Sequence, residues 1–262
     1  MLDLFIFFLG ATIGSFLTVV VDRLPRNISI TRGRSLCDSC KHSLSWYDLF
    51  PVVSYLLLRG KCRYCGVPIG PHHLLMEILV GVLFLVVYYT TLASSISLLD
   101  GGYFLIETLI YRFLVVCALF VIFFIDLKHR MIPLSALLIL GVLGVFNLAM
   151  NPVYAVQAVA VAVGSFLFFF LIHALTHGRG MGFGDVLFVF VMGLLLGFPT
   201  TIVAVYLAFL TGAVVSLILL LGGRKKLKSS IAFGPFLVGG TFLCLLWGQQ
   251  LTQAFLTLLR IV

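Results

Sequence analysis

The sequence predicts an all-α polytopic membrane protein with about eight transmembrane helices and a small cytosolic loop, carrying four cysteines, between the first and the second. Of the 262 residues, 62% are hydrophobic and only 10% are charged, and the mean hydropathy is +1.21. These values exclude a water-soluble domain of this length. The apolar residues form long uninterrupted runs, whereas a membrane β-barrel would show short alternating segments.

A helix needs about 20 mostly apolar residues to cross a bilayer, where it satisfies its own backbone hydrogen bonds. The chain divides into a first transmembrane helix at 1–21, a cytosolic loop at 22–73 and a seven-helix membrane domain at 74–262. The sixth apolar run is short, so we expect its helix to begin inside the preceding glycine-rich stretch or the bilayer to be thinned beside it. The predicted spans are 3–21, 74–93, 104–125, 131–150, 153–176, 185–198, 200–222 and 232–258.

Charge predicts the orientation. The first apolar run has Asp3 and no basic residue before it, while Arg23 follows it, so we predict a retained span with its N-terminus outside rather than a signal peptide. With eight spans, all 17 Lys and Arg residues except Arg112 and Arg260 fall on one side, which the positive-inside rule makes cytosolic. Topology thus accounts for the net charge of +8 without a nucleic-acid surface. The basic run at 222–230 is predicted to anchor the chain at anionic lipid.

The cytosolic loop carries four cysteines in the pattern C-x2-C, 21 residues, C-x2-C. Each C-x2-C turn presents two sulfurs to one ion, and four thiolates suit tetrahedral zinc. The alternative is a pair of disulfides, which a reducing cytosol disfavours. Four protein ligands leave no open position on the metal, so we expect zinc to organise the loop rather than to perform chemistry. The predicted ligands are Cys37, Cys40, Cys62 and Cys65.

Ionisable groups within a membrane are costly, so each one is a candidate for function. The acidic residues that fall neither on the outer side nor in the loop are Glu77, Asp126 and Asp185. Because odd-numbered spans run from outside to inside, both aspartates reach the cytosolic boundary, on different helices. Two carboxylates sharing a proton are the chemistry of an aspartic protease, with one acting as base and the other as acid. Snorkelling helix-terminal carboxylates and a proton-coupled transporter are the alternatives.

Three glycines precede Asp185 in the stretch "RGMGFGDVLF". Positions without side chains would allow unusual backbone angles and the close approach of an extended peptide, the form in which a peptide is cut. G-x-G-D is a weak motif alone, and a second aspartate at the same face makes it much stronger. Upstream, His173 and His177 share one helix face, where a metal pair would need a third ligand. The three glycines are Gly180, Gly182 and Gly184.

Four motifs, in order from about residue 10 to residue 190, resemble the prepilin peptidases, or type IV leader peptidases, which are G-x-G-D aspartic membrane proteases of bacteria. They are "GSFLTVVVDRLP", the cysteine loop with "WYDLFPVVSYLLLRGKCRYC", "IDLKHRMIP" and "GMGFGD". The resemblance implies an inner-membrane endopeptidase that removes the short basic leader from type IV prepilins and from pseudopilins such as those of type II secretion. Cleavage would follow a glycine at the cytosolic face, with Asp126 and Asp185 as the catalytic pair.

Many members of that family also methylate the new N-terminus with S-adenosylmethionine, and the resemblance ties the cysteine loop and zinc to this activity. It makes Glu77 a candidate methyltransferase residue. The alternative for Glu77 is a structural role as partner of an Arg or His in the loop. A presenilin-like intramembrane protease would share the paired aspartates, but the cysteine loop and the lack of a downstream Pro-Ala-Leu motif disfavour it.

Overall fold

A computed structural model describes residues 1–30, 35–37, 39–96, 102–222 and 232–259. Within these ranges the chain is helical apart from turns, short 3-10 segments and two isolated β-bridges, both in the cysteine loop. The all-helical fold class is therefore confirmed. Residues 223–230, which hold the charges of the predicted lipid anchor, lie outside the described residues.

Every predicted span coincides with a helix to within a few residues at each end. In the part of the chain that is described, the helices α1, α3, α4, α6 and α8 are long and apolar enough to cross a membrane. Helices α5 and α7 are shorter, and α9 leaves helical geometry at Trp247. Eight crossings thus remain a prediction. The helices are α1 Leu2–Arg23, α2 Val53–Leu57, α3 His72–Ile96, α4 Gly102–His129, α5 Leu134–Met150, α6 Pro152–Leu175, α7 Phe183–Leu196, α8 Thr200–Leu221 and α9 Gly234–Leu258.

Packing divides the chain into two compact units, Met1–Phe113 and Leu114–Val262, with the boundary inside α4. The predicted segments 1–21, 22–73 and 74–262 describe membrane topology rather than packing, and they remain predictions. All four loop cysteines and Glu77 belong to the first unit. Asp126 and Asp185 both belong to the second.

In the first unit, α1 packs along α3 through small residues. A Cβ added at Gly10 would lie 2.9 Å from the Val80 carbonyl oxygen, and one added at Gly14 would lie 2.9 Å from Val80 Cβ. Glycines spaced four apart let two membrane helices approach this closely, because backbone then meets side chain directly. The pair α1 and α3 thereby brackets the cysteine loop, whose ends continue from one helix and into the other.

In the second unit, α7 is the central helix. It packs against α5, α6 and α9, and most of its 14 residues are buried. Gly193 of α7 lies so close to α6 that an added Cβ would be 2.7 Å from the Ala162 backbone nitrogen. Helix α7 begins at Phe183, inside the glycine stretch, as the first of the two sequence-based alternatives expected. At about 21 Å it remains shorter than a hydrocarbon core of about 30 Å, so local thinning of the bilayer stays a prediction.

Candidate active site and metal centre

The two cysteine pairs lie on turns of the same shape. In the first turn the Lys41 N–H donates to the Cys37 carbonyl at 2.9 Å, and in the second the Gly66 N–H donates to the Cys62 carbonyl at 2.9 Å. The residue after the second cysteine is left-handed in both turns, with φ of 56° at Lys41 and 70° at Gly66. Each turn therefore points its two sulfurs in one direction.

The sulfurs of the two turns converge into one cluster. All four Sγ atoms lie within 4.8 Å of one another, and Sγ of Cys37 is 3.8 Å from Sγ of Cys65. Zinc bound tetrahedrally at about 2.3 Å from each sulfur would set the sulfurs about 3.8 Å apart, so the cluster fits this ion. All four cysteines are free thiols. The backbone N–H groups of Cys40 and Ser39 lower the pKa of the Cys37 thiol to about 6, which favours the thiolate that a metal binds.

Asp48 joins the second cysteine turn to the segment that follows the first. Its side chain is 3% exposed and pairs with Arg63, whose Nε donates to Oδ1 at 2.7 Å. The Tyr64 hydroxyl and the Ser45 N–H donate to Oδ2 at 3.0 and 3.2 Å. Burial opposes ionisation, but the hydrogen bonds from Arg63, Ser45 and Tyr64 together lower the pKa of Asp48 below its ordinary value. Asp48 is a structural residue of the metal centre that the sequence reasoning did not single out.

Glu77 connects α3 to the apolar middle of the cysteine loop. Its Oε2 accepts a hydrogen bond of 2.8 Å from the Val52 N–H. Val52 has φ of 63° and ψ of −51°. It is the central residue of a three-residue turn closed by a 2.6 Å hydrogen bond from the Val53 N–H to the Pro51 carbonyl. This is a classic γ-turn, rare and strained, and a β-branched residue is unusual there. The structure therefore gives Glu77 a backbone partner in the loop, in place of the Arg or His that the structural alternative expected.

Asp126 occupies the last turn of α4. The residue is 5% exposed, and its Oδ2 has no hydrogen-bond partner within the described ranges. Helix α4 ends three residues later at His129, and Arg130 then takes a left-handed φ of 55°. The end of α4 thus holds a carboxylate that faces protein rather than solvent.

Asp185 lies in the first turn of α7 and is half-buried. Its N–H donates to the Gly182 carbonyl at 3.2 Å, which closes the first turn of the helix. Gly184, next to Asp185, packs against Ile132 in the segment that follows α4. The Asp126 carboxylate is close enough to act electrostatically on that of Asp185. The fold therefore brings together two acids that are far apart in sequence, from the end of one helix and the start of another.

The glycines before Asp185 differ from the expectation in one respect. None has a φ in the left-handed region, which the turn uses instead at His177 and Gly178. The prediction of unusual backbone angles was therefore wrong, because two residues earlier in the connection already reverse the chain. What the structure shows is close packing within the protein, and the expected approach of a peptide stays a prediction: a Cβ at Gly180 would lie 2.9 Å from Thr176 Cγ2, and one at Gly184 3.2 Å from Ile132 Cβ.

Gly182 differs from its two neighbours. Among the described residues, the only atom within 4 Å of an added Cβ would be Oδ2 of Asp185, at 3.4 Å. The residue is exposed. Within the part of the chain that the structure describes, Gly182 therefore leaves the Asp185 carboxylate uncovered on this side.

His173 holds the glycine connection through a direct contact. Its Nδ1 lies 2.8 Å from the Met181 carbonyl oxygen, a distance at which a protonated Nδ1 donates. The only described cluster of metal-ligating side chains is the four-cysteine cluster, so a metal pair at His173 and His177 is not favoured. His173 instead fixes the turn that leads into Asp185, through its contact with the carbonyl of Met181, eight residues further along the chain.

These features define a polytopic membrane protein with two carboxylates near one another in one unit and, in the other, a four-cysteine cluster that could hold a metal ion. The family model described as "Bacterial Peptidase A24 N-terminal domain" matches residues 8–91. The model described as "Type IV leader peptidase family" matches residues 113–217, a range that includes Asp126 and Asp185. The chain belongs to the type IV leader peptidase family. Membership in a protease family does not favour the alternative in which the two aspartates serve a proton-coupled transporter.

Curated relatives extend the match over nearly the whole chain. The prepilin leader peptidase/N-methyltransferase of Myxococcus xanthus is 34% identical over 223 residues, which are 83% of this chain and 63% of that protein. The proteins of the same name from Aeromonas hydrophila and Pseudomonas aeruginosa are 29% and 28% identical, each over 282 residues. These matches cover 96% and 95% of this chain and 93% and 91% of the relatives. The chain spans less than two thirds of the Myxococcus relative. No solved structure matches.

Proposed function

We propose that this protein is a membrane aspartic endopeptidase that removes the leader of type IV prepilins or pilin-like proteins and then methylates the new N-terminus. The observation that carries the peptidase proposal is the juxtaposition of Asp126 and Asp185 in one compact unit of a type IV leader peptidase family member. The names of the curated relatives support both the cleavage and the N-methylation. The protein would act in a bacterial inner membrane, with its site at the cytosolic face.

The proposed cleavage needs one ionised and one protonated carboxyl group. The ionised group removes a proton from water, whose oxygen attacks the scissile carbonyl, while the protonated group donates to the carbonyl oxygen. Collapse of the tetrahedral intermediate breaks the C–N bond, and the leaving amine takes up a proton. Two acids that lie near one another suit this division, because the charge on one favours the protonated state of the other.

The groups proposed for methylation lie in the first unit. Zinc would be held by Cys37, Cys40, Cys62 and Cys65 and would keep the loop folded. S-adenosylmethionine would supply the methyl group. The described residues contain no glycine-rich turn between a strand and a helix of the kind that marks a nucleotide site. Glu77 supports methylation in this proposal because it ties the loop to α3.

The test uses purified protein in detergent with a full-length prepilin and S-adenosylmethionine, followed by intact-mass spectrometry. We expect the wild type to remove the leader and to add one methyl group, and Asp126→Asn and Asp185→Asn to leave the prepilin intact. Thermal unfolding of both variants near the wild-type midpoint controls for misfolding. Cleavage that persists in both variants would refute the assignment of these residues. No cleavage by any form of this protein, on a substrate that a known peptidase cuts, would refute the function itself.

A further inference from the structure

The first turn of α9 lies directly against the Asp126 carboxylate. A Cβ added at Gly234, the first residue of α9, would lie 2.9 Å from Cγ of Asp126 and nearer still to Oδ2. Real Cβ atoms essentially never show such contacts, so a side chain at position 234 requires the carboxylate to move. Both residues belong to the Leu114–Val262 unit.

The carboxylate is buried against a helix start that has no other cap. Asp126 is 5% exposed, and Oδ2 makes no hydrogen bond of full geometry with any described residue. The Gly234 N–H is close enough to act on the carboxylate, and Phe233 at the N-cap position provides no side-chain hydrogen bond. The first N–H groups of a helix lack intrahelical partners and carry partial positive charge, which attracts an acidic group.

We propose that Gly234 is a positioning residue for the catalytic pair, because the first turn of α9 fixes the Asp126 carboxylate relative to Asp185 and to the substrate. This inference rests on the proposed peptidase function. Glycine is needed at position 234 because any side chain would displace the carboxylate. Since α9 also packs against α7, one helix contacts the elements that carry both acids. Helix α9 is then a third wall of the active site, beside α4 and α7.

The kinetic test compares two glycines of the same helix on a prepilin substrate. In Gly234→Ala we expect kcat to fall about 10- to 100-fold, the usual cost of misplacing a catalytic group by about 1 Å. KM should stay near the wild-type value, because the residue acts through Asp126 rather than through substrate binding. Gly239→Ala is the matched control, since an added Cβ there meets no atom of the described residues within 4 Å, and it should retain the wild-type kcat. Wild-type kcat in Gly234→Ala would overturn the proposal.

A second test needs no activity. Thermal midpoints are measured for Gly234→Ala, Asp126→Ala and the double variant. If the added Cβ collides with the Asp126 carboxylate, Gly234→Ala should lower the midpoint of the wild type more than that of Asp126→Ala, because the truncated side chain leaves room. Equal losses in both backgrounds would overturn the contact. If Gly234→Ala fails to fold, a folded double variant supports the proposal and an unfolded one refutes it.

Gly240→Ala provides a reference for damage unrelated to Asp126. Its Cβ would be 3.2 Å from the Ala204 carbonyl carbon of α8 and closer still to the oxygen, and removing the Asp126 side chain should not rescue it. Failure of the proposed function gives a different result. If the proposed function is wrong, either Asp126→Asn still cleaves the prepilin or the wild type does not cleave it. The thermal midpoints would still report whether Gly234 and Asp126 are in contact.

Discussion

Lys41 and Gly66 occupy equivalent positions in the two cysteine turns, and only one of them is a glycine. Both have left-handed backbone angles, which cost about 1 kcal/mol or more for a residue with a Cβ. An added Cβ at Gly66 meets nothing within 4 Å, so the two positions differ in backbone strain rather than in packing. The first turn of the metal centre therefore carries strain that the second does not.

We predict that Lys41→Gly strengthens the metal centre and that Gly66→Ala weakens it. Each change should be about 0.5–1 kcal/mol, or about two- to fivefold in zinc affinity, because the metal-bound loop requires the left-handed angle at both positions. Competition with a chromophoric chelator measures the affinity. Equal affinities in the wild type and both variants would show that the turn backbone does not limit metal binding.

Residues with specific chemistry could be predicted from the sequence, and residues that act through a distant partner could not. The cysteine spacing identified four atoms that the fold places within 4.8 Å. Asp48, His173 and Gly234 matter because of contacts with Arg63, Met181 and Asp126, and one sequence gives no sign of such pairs. Glu77 lies between these cases. Its position in an apolar segment made it a candidate functional residue, but its partner, the Val52 backbone N–H, could not be predicted.

For Glu77 we predict that glutamine can take over the role of the side chain and that alanine cannot. Glu77→Gln keeps a carbonyl oxygen for the Val52 N–H, whereas Glu77→Ala leaves that N–H without its acceptor at a strained position. Methylation of a cleaved prepilin, read by intact mass, should be largely retained in the first variant and lost in the second. Cleavage should persist in both. Loss of methylation in Glu77→Gln would show instead that the negative charge itself takes part.

At the scale of elements, the three glycines of the motif before Asp185 have two different roles. Gly180 and Gly184 are sites of close packing against Thr176 and Ile132, whereas Gly182 borders only the Asp185 carboxylate. The motif located the element correctly, but the packing of Gly180 and Gly184 against the protein's own side chains could not be predicted, since the sequence cannot distinguish a glycine that packs from one that bends. The helix start at Phe183 rather than 185 follows from the same cause, because glycines carry little helical signal.

We predict that Gly182→Ala folds normally and cleaves poorly. Its φ of −70° suits alanine, so the thermal midpoint should be unchanged, while the new methyl group occupies the space beside Asp185 Oδ2 that water or peptide would use. We expect the rate of cleavage to fall about tenfold or more. Gly164→Ala in α6, where an added Cβ meets nothing within 4 Å, is the control and should match the wild type. An unimpaired Gly182→Ala would show that the substrate approaches Asp185 from another side.

The whole molecule separates two sets of groups. The metal centre, Glu77 and the Val52 turn belong to Met1–Phe113, and both aspartates belong to Leu114–Val262. The named residues of each set lie within one compact unit, so the two proposed activities need not share residues. The division into units could not be predicted from hydropathy, because it falls within α4, a continuous apolar helix.

This separation predicts that removal of zinc abolishes methylation and spares cleavage. Without the ion, four sulfurs no longer join the two cysteine turns, and the loop that reaches Glu77 loses its main cross-link. The packing of α1 on α3 through Gly10 and Gly14 involves no metal, and the described residues of the second unit include no metal-ligating cluster. Chelator-treated protein, checked for metal content, should therefore yield cleaved and unmethylated prepilin, and added zinc should restore the methyl group.

Cys37→Ser should reproduce the chelated state, while Cys117→Ala, which changes a thiol of α4 outside the metal centre, should keep both zinc and methylation. Methylation by metal-free protein would show that the loop folds without the ion, since Asp48 and its hydrogen bonds would then suffice to hold the two turns together. Loss of cleavage together with methylation would show that the first unit supports the aspartate pair. In that case the site of proteolysis would depend on both halves of the chain rather than on α4, α7 and α9 alone.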